Sequence, residues 1–356
     1  MRQRQTIGVL TFHRCINYGS YWQARCLVEG LRARGHDAVL LDHDSHAVRW
    51  AEWRCALRPR LPLANAPPDL GLYAAKIRLF MEAIEALPHS RPFTIDQPDG
   101  LPHYGTVVVG SDEVWNLRHP WYGGKALFYG DGLEGGRLVS YAASFGNQDA
   151  GDGLPPLWAG RLNRFAAISV RDDNSARLVQ RSTGIEPDLV LDPCLQFPDT
   201  IPARRGEAGA PYLAVYGHDF PSWFAESVRD WARRRNYRLV SVGYRNEWAD
   251  DQRLATGPQG FAELMAGATA VATNFFHGCV FALLNARPFA CVMSRYRANK
   301  VRDLMQLIGA ERHLLSDAGF GAAVQDVLER PVDGAVLHRI EALRRRSDAY
   351  LAAALE

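Results

Sequence analysis

Short runs of small and β-branched apolar residues alternate along this chain with segments whose apolar residues recur every three to four positions. The first kind predicts buried strands at Ile7–Phe12, Ala38–Leu41, Thr106–Val109, Leu138–Ala142, Ala167–Val170 and Asp188–Leu191. The second kind predicts helices at Tyr21–Arg34, closed by Gly35, and at Leu72–Leu87 and Ser175–Arg181. Pro198–Pro211, rich in Pro, Gly, Arg and Ala, reads as a linker. A second series follows it. Strands are expected at Tyr212–Tyr216, Leu239–Val242, Ala270–Thr273 and Phe289–Met293, and helices at Ser222–Arg235, Phe261–Met265, Lys300–Ile308, Ala322–Glu329 and Val336–Ala353. The Trp-, Arg- and Pro-rich stretch Ala47–Pro68 fits neither pattern.

Alternating strands and helices imply parallel sheets. The expected fold is α/β, with two Rossmann-like doubly wound domains facing each other across a cleft, the GT-B layout. Residues 1–200 would form the first domain, on the acceptor side and carrying the Arg171 loop. Residues 201–330 would form the second, on the donor side, and 331–356 a helix packing back on the first. In such folds the loops after the strands open toward one edge, where ligands bind. The first of these loops offers one glycine, Gly19, so it is not the three-glycine dinucleotide fingerprint.

With 356 residues, 47% of them hydrophobic, the chain can bury two cores. The net charge of +2 dictates no partner, and no nucleic acid is expected. Two arginine triplets, at 233–235 and 344–346, lie on expected helices. They read either as solvated faces or as sites for a phosphate-rich or membrane-surface ligand. Six scattered cysteines form no CxxC pair, which argues against zinc and against a disulfide framework and suits a reducing compartment. No metal-ligand cluster and no cofactor are expected. The apolar runs are too short for a signal peptide or a membrane span. The protein is therefore expected in the cytoplasm, with at most peripheral contact at the inner face of the membrane.

The polar loops after the strands carry the candidate chemistry. His277 falls where a helix emerges after a strand, a place that favours anions. It reads equally as a capping or core histidine. Arg171 can fork a phosphate or carboxylate, or pair with Asp172, Asp173 or Asp192. Asp112 serves as a general base or as a helix cap. Lys300 reaches an anion or faces solvent. No nucleophile elbow, zinc-protease helix or phosphate-binding P-loop is present.

Several segments resemble, in order, those of the polysaccharide pyruvyl transferase family. They are Asn17–Tyr18–Gly19–Ser20 with Gln23–Ala24, then Val109–Asn116 (VGSDEVWN), Ser140–Gly146 (SYAASFG) and Ile168–Ser175 (ISVRDDNS). Leu191–Asp192–Pro193, Thr273–Gly278 (TNFFHG) and Asn299–Leu304 follow. The resemblance implies a GT-B-like fold and transfer of pyruvate from phosphoenolpyruvate, as co-substrate, to two hydroxyls of a sugar. It implies catalytic roles for His277, Arg171 and Asp112, and donor binding by Arg171, Asn274, His277, Gly278 and Lys300. Acceptor binding would fall to Asn17, Tyr18, Gln23, Ser111, Trp115, Asn116 and Phe275. The acceptor would be a sugar, lipid-linked or nucleotide-linked. Phe275 departs from the family's small hydroxyl residue, either reshaping the acceptor pocket or pointing into the core. Other readings stay open: a nucleotide-sugar glycosyltransferase, with Glu247, Asp250 or Asp251 holding the ribose, or a family member redirected to a different acceptor, and a non-catalytic binding protein.

Overall fold

In the computed structural model the described residues are 6–59, 69–98, 101–133, 136–202, 210–293, 298–316 and 320–356. Half of the expected linker at 198–211, residues 203–209, lies outside them. The chain divides into two units. The first comprises Met1–Glu52, Ile84–Thr200 and Glu341–Glu356, and the second Trp53–Ala83 and Ile201–Ile340. The break at 200/201 falls at the expected linker. The excursion Trp53–Ala83 goes with the second unit, which the order of elements along the chain did not indicate.

The first unit is built on strands β1 (Thr6–Leu10), β2 (Asp37–Leu40), a two-residue pair β3 (His43–Asp44) and β4 (Phe93–Thr94), β5 (Thr106–Val109) and β6 (Arg137–Ser140). Four of them form a parallel sheet in the order β2-β1-β5-β6. Single bridges from Val139 to Ala167 and from Ala143 to Val170 carry it on to β7 (Ser169–Val170), which pairs with β8 (Asp188–Leu189). Strand order reverses between β1 and β5. Helix α1 (Tyr18–Ala33) starts three residues earlier than its apolar spacing suggests, because the Asn17 side chain accepts the amides of Gly19 and Ser20 and caps it. The ambiguous stretch contains helix α2 (His46–Leu57), and α3 (Leu70–Glu85) follows it. Helices α4 (Pro156–Leu162), α5 (Asp173–Thr183) and α6 (Pro193–Gln196) complete this half of the chain. The core joins β-branched strand residues to a large aromatic cluster around Phe12, Trp115, Tyr122, Phe128 and Phe145.

The second unit has strands β9 (Tyr212–Tyr216), β10 (Arg238–Val242), β11 (Asp251–Arg253), β12 (Ala270–Thr273), β13 (Phe289–Val292) and β14 (Leu314–Leu315). They make one parallel sheet in the order β11-β10-β9-β12-β13-β14, the doubly wound order with its reversal between β9 and β12. Helices α7 (Ser222–Arg234), α8 (Pro258–Gly267), α9 (Phe276–Leu284), α10 (Ala298–Ile308) and α11 (Phe320–Glu329) alternate with these strands. Helix α3 joins this unit through Lys76, whose ammonium donates to the carbonyl of Gly243 (3.0 Å) and stands over the Tyr244 ring. The last helix, α12 (Gly334–Ala354), passes into the first unit at Glu341. There Tyr350 donates to the carbonyl of Ser140 (2.6 Å) and Ser347 accepts the amide of Leu191 (3.0 Å). No described helix is long and apolar enough to cross a membrane.

Candidate active site

At the reversal point of the first unit, polar side chains bond one another. Thr11, just past β1, donates to the carbonyl of Ser111 (3.0 Å) and accepts from Gln23 (2.9 Å). Ser20, in the first turn of α1, donates to Asp112 Oδ2 (2.7 Å). Asp112 follows β5 with φ 70° and accepts its neighbour Glu113's amide on Oδ1. The guanidinium of Arg171, from the end of β7, bonds Asp112 Oδ1 and Asp192 Oδ2, each at 3.0 Å. Its side chain is 2% exposed. Burial opposes the charge on Arg171, but the Asp112 and Asp192 carboxylates outweigh that and raise its pKa. Asp172 caps α5 through the amide of Ser175 (2.7 Å), and Ser175 Oγ accepts the amide of Phe145 (2.9 Å).

Beside this network Glu52 is enclosed. It accepts the amide of Ile16 and the thiol of Cys15, yet burial dominates and pushes its pKa up to about 7. His13 and Arg14 both bond Asp42 at the end of β2. This gives that loop's basic pair a structural partner.

In the second unit the reversal point is built differently. Thr273, the last residue of β12, donates to the carbonyl of Tyr216 (2.6 Å) and accepts the amide of Phe275 (3.0 Å), folding the chain sharply into α9. Gly278 is obligatory there: a Cβ would lie 2.0 Å from Thr273 Oγ1. Asn274 donates to the carbonyl of His218 (2.7 Å), and its Oδ1 crowds Gly217, where a Cβ would lie 2.1 Å away. Gly217 has φ 147°, so two independent constraints select glycine after β9. Asn246 donates to the Gly217 carbonyl and to Ser241 Oγ, both at 2.9 Å. His277 sits in the first turn of α9, nearly buried. The residue that caps this helix is Phe275, whose side chain makes no capping bond. The amides of Gly278 and Cys279 bond the Phe275 carbonyl (3.0 and 3.3 Å), and the positive end of the helix dipole lies at this turn.

A family model for polysaccharide pyruvyl transferases matches residues 17–295. The chain belongs to that family. No curated protein sequence matches it significantly. Among solved structures, a proposed UDP-N-acetylglucosamine 2-epimerase from Listeria monocytogenes superposes with a TM-score of 0.52 at 11% identity, covering 98% of this chain and 91% of that one. The Methanocaldococcus jannaschii UDP-GlcNAc 2-epimerase, solved with UDP-GlcNAc and UDP, gives 0.51 at 12% identity, covering 96% and 99%. At such identities the likeness establishes the fold, which is GT-B.

For this polysaccharide pyruvyl transferase family member the structure distributes the expected residues unevenly. Ser111, Asp112 and Arg171 come together in one network of the first unit, and Asn274, His277 and Gly278 around the start of α9 in the second. Asn17 is an exposed cap. Tyr18, Gln23 and Trp115 are fully buried, and Trp115 spends its indole N–H on the Phe128 carbonyl (2.9 Å). In this structure none of the three is open to solvent. Asn116 braces Glu113 (2.8 Å). Lys300 lies half-buried in the first turn of α10. Phe275 is 6% exposed, with its ring edge-on to Tyr216, His218 and Tyr244 at 4.9–5.3 Å. Asp250 accepts the amide of Leu239 (2.8 Å), and Asp251 pairs with Arg253 (2.8 Å), so both serve the sheet edge.

Sequence reading offered Asp192 as one of three candidate partners of Arg171, but missed Ser20 in this network, and Gly217, Asn246 and Lys76 in the second unit. A glycine directly after the apolar run of β9 was the available signal for Gly217. Lys76 had none, because its neighbours come from a distant part of the chain.

Proposed function

We propose that this family member transfers the pyruvyl group of phosphoenolpyruvate to two hydroxyls of one sugar, lipid-linked or nucleotide-linked, in cell-surface or exopolysaccharide assembly on the cytoplasmic side. The observation that carries the reading is the start of α9: a histidine in the first turn of a helix that no side chain caps, within the segment matched by the family model. A doubly charged phosphate with an adjacent carboxylate suits the positive end of that helix dipole. Lys300 adds positive charge for the leaving phosphate. The buried Oδ1 of Asn274 has no hydrogen-bond partner among the described residues, and a substrate hydroxyl or a protonated phosphate oxygen would satisfy it.

The reaction moves two protons. One sugar hydroxyl adds its oxygen to C2 of the enol while C3 takes a proton, giving a phosphate-bearing tetrahedral carbon. The C2–O bond to phosphate then breaks, the second hydroxyl oxygen bonds C2, and its proton leaves with the phosphate. His277 is the group assigned to protonate C3. Asp112 is the carboxylate assigned to draw a proton from a sugar hydroxyl. Arg171 was expected to clamp the donor. Its two carboxylate partners and near-complete burial support another role: holding Asp112 in place and offsetting the charge of Asp192.

The test is phosphate release from phosphoenolpyruvate in the presence of diphospholipid-linked and nucleotide-linked sugars. Release should require an acceptor and fall about 10²- to 10⁴-fold in His277→Ala. Full activity in that variant would remove His277 from the site. Consumption of a nucleotide sugar without phosphoenolpyruvate would replace this reading with glycosyl transfer.

A further inference from the structure

Helix α2 turns an aromatic face outward. At about 100° per residue, His46, Trp50, Trp53 and Leu57 fall within a strip about 60° wide. Arg49 borders that strip on one side, and Arg54 and Arg58 on the other. Val48 and Glu52, on the opposite side, are the buried residues of the helix. Trp50 is 61% exposed and Trp53 37%. The His46 ring stands edge-on to Trp50 at 6.5 Å, so the outward residues lie side by side.

We propose that this face of α2 docks the protein on a membrane surface rich in acidic headgroups. The sole acid of the helix, Glu52, is turned inward, so the helix itself contributes only positive charge to the outward face. Arg49 pairs with Asp44, whereas Arg54 and Arg58 have no ion-pair partner among the described residues. Arginines flanking a tryptophan stripe match an anionic interface: the indoles enter at headgroup depth and the guanidiniums meet the phosphates. The two indoles together expose roughly 200–250 Å². That is well below the roughly 800 Å² per partner of a stable protein interface, but enough for a shallow, reversible membrane contact. The inference goes beyond the proposed reaction and does not depend on it.

Flotation of the full chain with lipid vesicles tests it. Binding to phosphatidylcholine vesicles containing about one-third phosphatidylglycerol should exceed binding to pure phosphatidylcholine at least ~10-fold and weaken in high salt. Trp50→Ser/Trp53→Ser should reduce it ~10-fold, and so should Arg54→Glu/Arg58→Glu, with unfolding midpoints unchanged because all four residues are exposed. Absence of vesicle binding, or equal binding by wild type and both variants, overturns the proposal. So does concentration-dependent self-association that the tryptophan variants abolish, since a second copy would then be the occupant. Neither arm measures phosphate release, so failure here and failure of pyruvyl transfer are separate outcomes.

Discussion

Each unit of this protein reverses its strand order once, and the two reversal points are furnished in opposite ways. Between β1 and β5, Thr11, Ser20, Gln23, Ser111, Asp112, Arg171 and Asp192 bond one another, and one guanidinium sits between two carboxylates. Between β9 and β12 there are two glycines, an asparagine and a helix start without a side-chain cap. Similar loops can thus become a brace of charged side chains or a cradle of glycines and backbone turns. Which one forms depends on whether charged side chains or backbone groups supply the bonds. Charge is consumed internally in the first case. In the second, the backbone dipole of α9 is left to act outward.

The largest effect should come from breaking the brace. Arg171→Met leaves two buried carboxylates without their cation, which typically costs ~3–5 kcal/mol. Chemical unfolding should show that loss, whereas His277→Ala should stay within ~1 kcal/mol of wild type. If Arg171→Met unfolded like wild type and lost only phosphoenolpyruvate affinity, Arg171 would belong with the cradle as a donor clamp.

A smaller effect follows from adding a cap. Phe275→Ser supplies the missing N-cap, worth about 1 kcal/mol. It also removes a buried ring packed edge-on against three others, and losses of this kind run to ~3–5 kcal/mol. The net result should be ~2–4 kcal/mol less stable, read from the unfolding midpoint. A stabilised Phe275→Ser variant would mean that the ring does not pack as described.

The smallest effect is a pH dependence with a different sign in each unit. Glu52 in the first unit is held up to about 7, above its ordinary 4.5. The folded state therefore binds the extra proton between those values, and stability falls as pH rises through that window. Lys76 in the second unit is lowered by burial to about 7 from 10.5. The unfolded state then holds the extra proton above pH 7, and stability rises toward pH 10.5. Within its window each slope should approach about 1.4 kcal/mol per pH unit. Glu52→Gln should flatten the acid side alone and Lys76→Met the alkaline side alone. A profile unchanged by Glu52→Gln would show that its carboxyl is not the group holding that proton.

The parallel sheets were legible because β5, β9, β12 and β13 are nearly continuous apolar runs of four or five residues. Polar loops after such runs pointed to the candidate sites. Helix α2 was not legible, because its tryptophans face outward and its buried side holds a glutamate, inverting the usual pattern. β11, Asp-Gln-Arg, is polar and lies at a sheet edge, where one-sided packing relaxes the apolar requirement. The brace was half-legible: Asp112 and Arg171 stood out, but Asp192 was one of three possible partners for Arg171 and Ser20 looked like an ordinary first-turn residue. Their pairing depends on strand order, which local spacing does not encode.

The assignment of chain segments to units affects how the protein can be made. Four crossings, at 52/53, 83/84, 200/201 and 340/341, interleave the two units along the chain. During synthesis the first unit reaches Thr200 without the Ser347 and Tyr350 bonds that Leu191 and Ser140 use in the finished fold. The second unit meanwhile waits with Trp53–Ala83 already emerged but its sheet not yet translated. Neither half can close in the N-to-C order in which independent domains usually mature. On the ribosome the two should therefore reach their final state late and nearly together, with α12 as the last piece to seat.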